Sequence, residues 1–241
     1  MSRFCNSFRM EEVEAFWDQL AEHEYEHAND KMDRVHTQRF REAIIRLPIT
    51  ESSTVLNVWS RVGDGVPFLR EAFGNFRLVN AELSLEMLKA STRLNPGELH
   101  VQTSLHSFPF PDSSFDVVMS LETLEHVPDP LLFLKEIERI LVPGGVLVMS
   151  LPPSAAEWTS LVNNILKFHH GEGPHRFLSP SEVKEMLQEA GLRLEEYTGT
   201  LFLPFGGMAM EKIDRFITGI IGKGLLGQLG LRQFYVCRTA G

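Results

Sequence analysis

Phe115-Asp116-Val117-Val118-Met119-Ser120, followed by Asp129-Pro130 and then by Val146-Leu147-Val148-Met149-Ser150-Leu151, is the stretch that decides the fold. The first run is almost continuously apolar, as expected of a strand buried on both faces. Asp129 suits a helix N-cap, and Pro130 suits the first helical position. Leu134, Ile137 and Leu141 form the apolar stripe of that helix, which Pro143-Gly144-Gly145 is expected to end. Val146 to Leu151 is a second apolar strand. Strand, helix and strand joined this way predict a parallel pair with a covering helix.

The same rhythm extends in both directions. Upstream, Thr54-Val55-Leu56-Asn57-Val58 reads as a strand and Gly63-Asp64-Gly65 as a turn. A helix over 67–73, a strand over 76–81, a helix over 84–91 and a short strand over 100–102 follow. Downstream, a helix is expected over 155–168, and Ser179-Pro180-Ser181-Glu182 is a capping box opening a helix that Gly191 stops. Residues 192–197 and 233–238 read as strands. Alternation of this kind predicts an α/β doubly wound sheet with helices on both faces and a ligand site at the carboxyl ends of its strands. Ahead of the block, residues 9–47 carry Val13, Phe16, Trp17 and Leu20 at helical spacing. The division expected is an N-terminal helical extension over 1–50 and a main domain over 51–241.

Composition narrows the function. The chain has 241 residues and a net charge of −9, with 43% hydrophobic and 23% charged residues, the balance of an ordinary globular protein. No basic groove for nucleic acid is indicated. Cys5 and Cys237 are too few for a disulfide framework or a thiolate metal site and fit a reducing compartment. No apolar run reaches the ~18 residues of a membrane span. Stable membrane insertion is therefore not expected, and a cytoplasmic location is. The glycine-rich, apolar segment 205–231 reads as a helical pair on the sheet edge, with a hydrophobic-substrate cap or a membrane-surface contact as its alternatives.

From Thr54 to Arg238 the chain resembles a class I S-adenosylmethionine (SAM)-dependent methyltransferase of the small-molecule, ubiquinone-methylase-like group. The residues that carry the resemblance are Phe108-Pro109-Phe110-Pro111-Asp112-Ser113-Ser114-Phe115-Asp116-Val117-Val118 and Leu121-Glu122-Thr123-Leu124-Glu125-His126-Val127-Pro128-Asp129-Pro130. Pro143-Gly144-Gly145 and Phe177-Leu178-Ser179-Pro180 are further landmarks. The resemblance implies a seven-stranded, mostly parallel, Rossmann-like sheet whose last strand, Gln233 to Arg238, runs antiparallel. It also implies methyl transfer from SAM to a small-molecule acceptor.

The resemblance further implies cofactor contacts from Asn57, Trp59, Ser60, Arg61 and Gly63 after the first strand. Glu82 and Leu83 follow the second strand, Ser104 and Leu105 the third, and Leu121 and His126 the fourth. The family pattern V-L-D-x-G-x-G-x-G stands here as Val55-Leu56-Asn57-Val58-Trp59-Ser60-Arg61-Val62-Gly63, so Asn57 replaces the acid and Trp59 and Arg61 replace two glycines. Glu82 keeps the acidic position expected to hold the ribose diol. Arg61 is a candidate partner for the methionine carboxylate, with a solvated loop charge as the alternative, and Trp59 reads as a pocket-filling or wall residue. Glu125-His126 is expected to shape the floor of the site. The loop His169 to Arg176 reads as a polar lid over the substrate pocket, with His170 or His175 as the alternative of a general base. Its spacing matches no metal-ligand pair, so no metal is expected. Two rivals remain: a non-catalytic descendant serving as a binding or partner subunit, motivated by the altered first motif, and a nicotinamide-dependent oxidoreductase, motivated only by Gly63-x-Gly65.

Overall fold

The apolar run at Phe115–Leu121 lies at the middle of a seven-stranded sheet. The structure is a computed structural model that describes residues 5–27, 34–152, 173–203 and 208–240. In chain order the elements are α1 (Met10–His27), α2 (Arg34–Ile44), β1 (Thr54–Val58), α3 (Val66–Phe73), β2 (Arg77–Glu82), α4 (Leu85–Leu94), β3 (Leu99–Gln102) and β4 (Phe115–Leu121). After β4 come a 3-10 turn (Leu124–His126), α5 (Pro130–Ile140), β5 (Leu141–Leu151), α6 (Pro180–Glu189), β6 (Arg193–Thr200), α7 (Met208–Ile221), a second 3-10 turn (Leu225–Leu229) and β7 (Arg232–Arg238).

The strand order is β3-β2-β1-β4-β5-β7-β6. β1, β2, β3, β4 and β5 pair in parallel, and β7 runs antiparallel between β5 and β6. This is the doubly wound sheet that the alternation predicts, with the antiparallel last strand that the resemblance implies. The order reverses between β1 and β4, the crevice where such sheets place their ligands.

Local signals act as read. Asp129 caps α5 by accepting the Leu132 N–H, and Ser84 caps α4 by accepting the Met87 N–H. Ser179 and Glu182 close the reciprocal capping box of α6. Pro143-Gly144-Gly145 does not end α5. The helix stops at Ile140, and the three residues lie within β5, whose ladder with β4 begins at Phe115–Leu141. The expected helix 155–168 lies outside the described residues.

Two apolar clusters fill the faces of the sheet. On one, α4, α5 and α6 pack with α1, whose Val13, Trp17 and Ala21 join Leu56, Val58 and Leu147 in a single cluster. On the other, α2 and α3 set Phe40, Ala43 and Leu69 against Val55, Val117 and Val148. Both helices that precede the strands therefore belong to the same cores as the sheet.

Candidate cofactor cleft

Above the carboxyl ends of β1 and β4 the backbone makes an unusual turn. Trp59 has φ +56°, Arg61 has φ +52° and Gly63 has φ +76°. L-residues with side chains rarely adopt this left-handed region, which costs ~1–2 kcal/mol each. The turn thus has the torsions glycine would favour, with an indole and a guanidinium carried on two of them. Gly63 itself has a packing reason: a Cβ there would run into the side chains of Ser91 on α4 and of Asn95, which caps its end.

The turn closes onto Glu82 at the end of β2. The Glu82 carboxylate accepts the N–H groups of Arg61 (2.6 Å), Leu83 (2.9 Å) and Ser84 (3.1 Å). Burial pushes its pKa up to about 7, against the lowering effect of those three donors. Leu83 and Leu105 are buried beside it in the same apolar cluster. Ser104 is exposed, and its hydroxyl accepts the His106 N–H, which places it on the local turn. Asn57 donates to Asn80 across the β1–β2 register, a buried amide pair where the family has a charge.

α1 brings a further group to the cleft. The Trp17 ring meets Trp59 edge-on at 5.8 Å and His126 at 5.9 Å, and the Arg61 guanidinium lies 4.3 Å above its face. Trp59 is 5.2 Å from His126, and His126 is 5.8 Å from His175. The His126 Nδ1–H donates to the Pro174 carbonyl, and burial lowers its pKa to about 4. His175 donates Nδ1–H to the Gly173 carbonyl. His170 lies outside the described residues. Two buried polar atoms here, Trp17 Nε1–H and the Ser60 hydroxyl, have no hydrogen-bond partner among the described residues.

Beneath the turn lies a charge network that the sequence gives little sign of. Arg39 of α2 binds Asp64 (2.8 Å) and Glu122 (3.0 Å), and Arg232 at the start of β7 binds Glu122 (2.6 Å) and donates to Gln38. Burial pushes both carboxyls up, yet Arg39 on each and Arg232 on Glu122 hold them well below the usual carboxylate range. The cavity bounded by Arg39, Asn57, Trp59, Ser60, Arg61 and Leu121 measures only ≈ 10 Å³, about one water. The structure therefore gathers Asn57, Trp59, Ser60, Arg61 and Leu121 around one point, with Glu82, Leu83 and His126 nearby. Arg39, Asp64, Glu122 and Trp17 join them without having been singled out. Asp64 and Glu122 sit inside quoted motifs, so a buried partner could have been sought for each; Arg39 and Trp17 had only helical spacing around them.

The family model described as "Methyltransferase domain" matches residues 60–149. The ubiquinone biosynthesis O-methyltransferase of Xanthomonas campestris is 31% identical over 162 residues, which are 61% of this chain and 67% of that protein. The chain belongs to the SAM-dependent methyltransferase family. The 2-methyl-6-phytyl-1,4-hydroquinone methyltransferase of Synechocystis is 33% identical over 123 residues, 50% of this chain and 38% of the relative. This methyltransferase-family chain thus spans well under half of that relative's length and about two thirds of the Xanthomonas protein.

Solved structures agree on the fold. The methyltransferase bound to the Haloferax volcanii Trm112 activator superposes with a TM-score of 0.73 at 22% identity, covering 93% of this chain and 98% of that one. The [4+2]-cyclase SpnF superposes with a TM-score of 0.71 at 15% identity, covering 98% of each chain. A cyclase on the same scaffold shows that function has to be argued from the site.

SAM is the family's cofactor, and the residues present fit it unevenly. At the ribose end Glu82 is a buried carboxylate at the required strand end, with the unpaired Ser60 hydroxyl in the adjoining turn. At the amino-acid end the fit fails as the side chains stand, because Trp17, Trp59 and Arg61 are packed against one another there. Among the described residues no set of three His, Cys, Asp or Glu side chains could hold a metal ion.

Proposed function

We propose that the chain transfers a methyl group from SAM to a small-molecule acceptor after the Trp17–Arg61 contact opens. One observation carries this reading. The turn after β1 keeps positive φ at all three glycine positions and still delivers the Arg61 N–H to Glu82. A turn under that strain persists only where its surroundings over-determine it. SAM, when bound, supplies a methyl carbon activated by a sulfonium sulfur. In the proposed open form Glu82 accepts the ribose hydroxyls, and Arg61, swung off Trp17, pairs with the amino-acid carboxylate.

His126 remains neutral and shapes the floor, its Nδ1–H fixed on Pro174. His175 is assigned to take the proton from an acceptor hydroxyl through Nε2, with orientation supplying most of the remaining rate. The relatives' names point to a hydroxyl-bearing quinol ring as the first acceptor class to test, and cysteines that form no disulfide favour a cytosolic setting.

A second reading has its own observation. The edge-on Trp17–Trp59 contact favours a scaffold that no longer admits SAM. Calorimetry with SAM and S-adenosylhomocysteine on the wild type and on Trp17→Ala separates them. Binding by either protein supports methyl transfer. Absence of binding by both supports the scaffold.

A further inference from the structure

α7 carries an apolar face that is left exposed among the described residues. Ile213, Phe216 and Ile220 recur at helical spacing and are 49%, 69% and 64% exposed. The 3-10 turn that follows exposes Leu226 and Leu229 at 52% and 63%. Isolated exposed apolar residues are ordinary, but a row of large ones along one helix is not.

The opposite face of the helix is firmly seated. Asp214 is buried and accepts the Leu203 N–H at 2.8 Å, Thr218 is buried, and the Gly222 carbonyl accepts the Gly199 N–H at 2.8 Å. Glu211 is ion-paired to Arg41 of α2 at 2.9 Å. The apolar row is therefore held outward by fixed contacts.

Charge selects the occupant. In a chain of net charge −9, the exposed charges along this segment are Lys212, Arg215 and Lys223. Asp214 is buried in the core and Glu211 is shared between Arg41 and Arg215, while Lys223 lies 3.8 Å from Glu196; all three cations stay exposed beside these pairs. On the helical wheel Lys212 borders the Ile213–Phe216–Ile220 row, Arg215 lies further round on the same side, and Lys223 follows the end of the helix at Ile221. An apolar stripe bordered by Lys and Arg is the pattern of a helix lying in the plane of an anionic lipid surface. α7 has 14 residues and is too short to span a bilayer, and no described helix is long and apolar enough to do so.

We propose that α7 docks this protein on an anionic lipid surface, with Phe216 and Ile220 entering the acyl boundary and Lys212, Arg215 and Lys223 meeting the headgroups. The segment joins the end of β6 to the start of β7, where Arg232 reaches Glu122 at the end of β4. The docked face would thus lie on the same rim of the sheet as the cleft.

The test is flotation of the full chain with vesicles of phosphatidylcholine alone and of phosphatidylcholine mixed with phosphatidylglycerol. Cofloating with the mixed vesicles only, weakened by salt and reduced about tenfold or more in F216D/I220D, is the expected result. K212E/K223E, which leaves the apolar row intact, should lower binding to the mixed vesicles as well. Thermal melts of both variants check folding. Failure of the wild type to float, or unchanged flotation of the variants, overturns the proposal. So does light scattering that finds a dimer which F216D/I220D dissociates, because a second copy would then be the occupant.

Discussion

Trp17 on α1 and Trp59 in the turn after β1 meet edge to face, 5.8 Å between ring centres, across the cleft in which the family holds its cofactor. Each side chain is nearly buried, at 6% and 4% exposure. Neither ring packs this way unless the other is present, so the closed cleft is a joint property of α1 and the turn.

Trp17→Ala should therefore strengthen SAM binding. The indole covers Arg61, and removing it frees the guanidinium for an anion while opening the space beside Trp59. Calorimetry should show at least a tenfold gain, about 1.4 kcal/mol. Equal affinity in the two proteins would mean that α1 does not close the cleft.

Trp59→Gly with Arg61→Gly tests the turn itself. Glycine relieves ~1–2 kcal/mol of left-handed strain at each position. Loss of a buried indole costs ~3–5 kcal/mol, so the double variant should melt at a modestly lower temperature. SAM should bind it more tightly than the wild type, the space opened by removing the indole outweighing the carboxylate pair lost with Arg61. Tight wild-type binding that collapses in the variant would show instead that Arg61 already clamps the ligand.

Glu82 makes stability depend on pH with a definite sign. Its pKa of about 7 in the folded protein lies above the ordinary 4.5. Between those values the folded form keeps a proton that the unfolded chain has released. The contribution is therefore present below pH ~4.5 and lost as pH rises to about 7, on the order of 3 kcal/mol in all. Denaturant titrations should show that slope in the wild type and a flatter one in Glu82→Gln. SAM affinity should rise through pH 7 as the carboxylate ionises, and Glu82→Ala should weaken binding by ~1.5–3 kcal/mol.

Arg39 neutralises two buried acids at once. Arg39→Met leaves Asp64 with His36 and Glu122 with Arg232 as their nearest side-chain partners, which should cost ~3–5 kcal/mol in chemical denaturation. The pKa values of both acids are depressed. Their contribution is thus present above the ordinary 3.8 and 4.5 and is lost as pH falls toward the folded values. The variant should show less acid dependence than the wild type.

The fold was legible because its signals are local. The apolar run 115–120, the caps at Asp129 and Ser179 and the alternation around them need no distant partner to be read. Pro143-Gly144-Gly145 misled because a turn-forming triplet was set against a ladder that already begins at Leu141. The cleft was only half legible. Glu82 and the altered turn stand out in the chain, and the positive φ at Trp59 and Arg61 explains what the turn does with them. Trp17, Arg39 and Arg232 are invisible there, since each acts through partners brought close only by the completed sheet.

β7 enters the sheet between β5 and β6 rather than at an edge. During synthesis β6 therefore emerges with no neighbour on either side, and Glu122 is made long before Arg232 exists to balance it. The final strand is a keystone: its insertion gives β6 its place and completes the rim of the cleft in the same event. A chain released before Arg232 would carry an unpaired strand and a half-compensated acid, and would be expected to aggregate rather than to fold into a smaller version of the same protein.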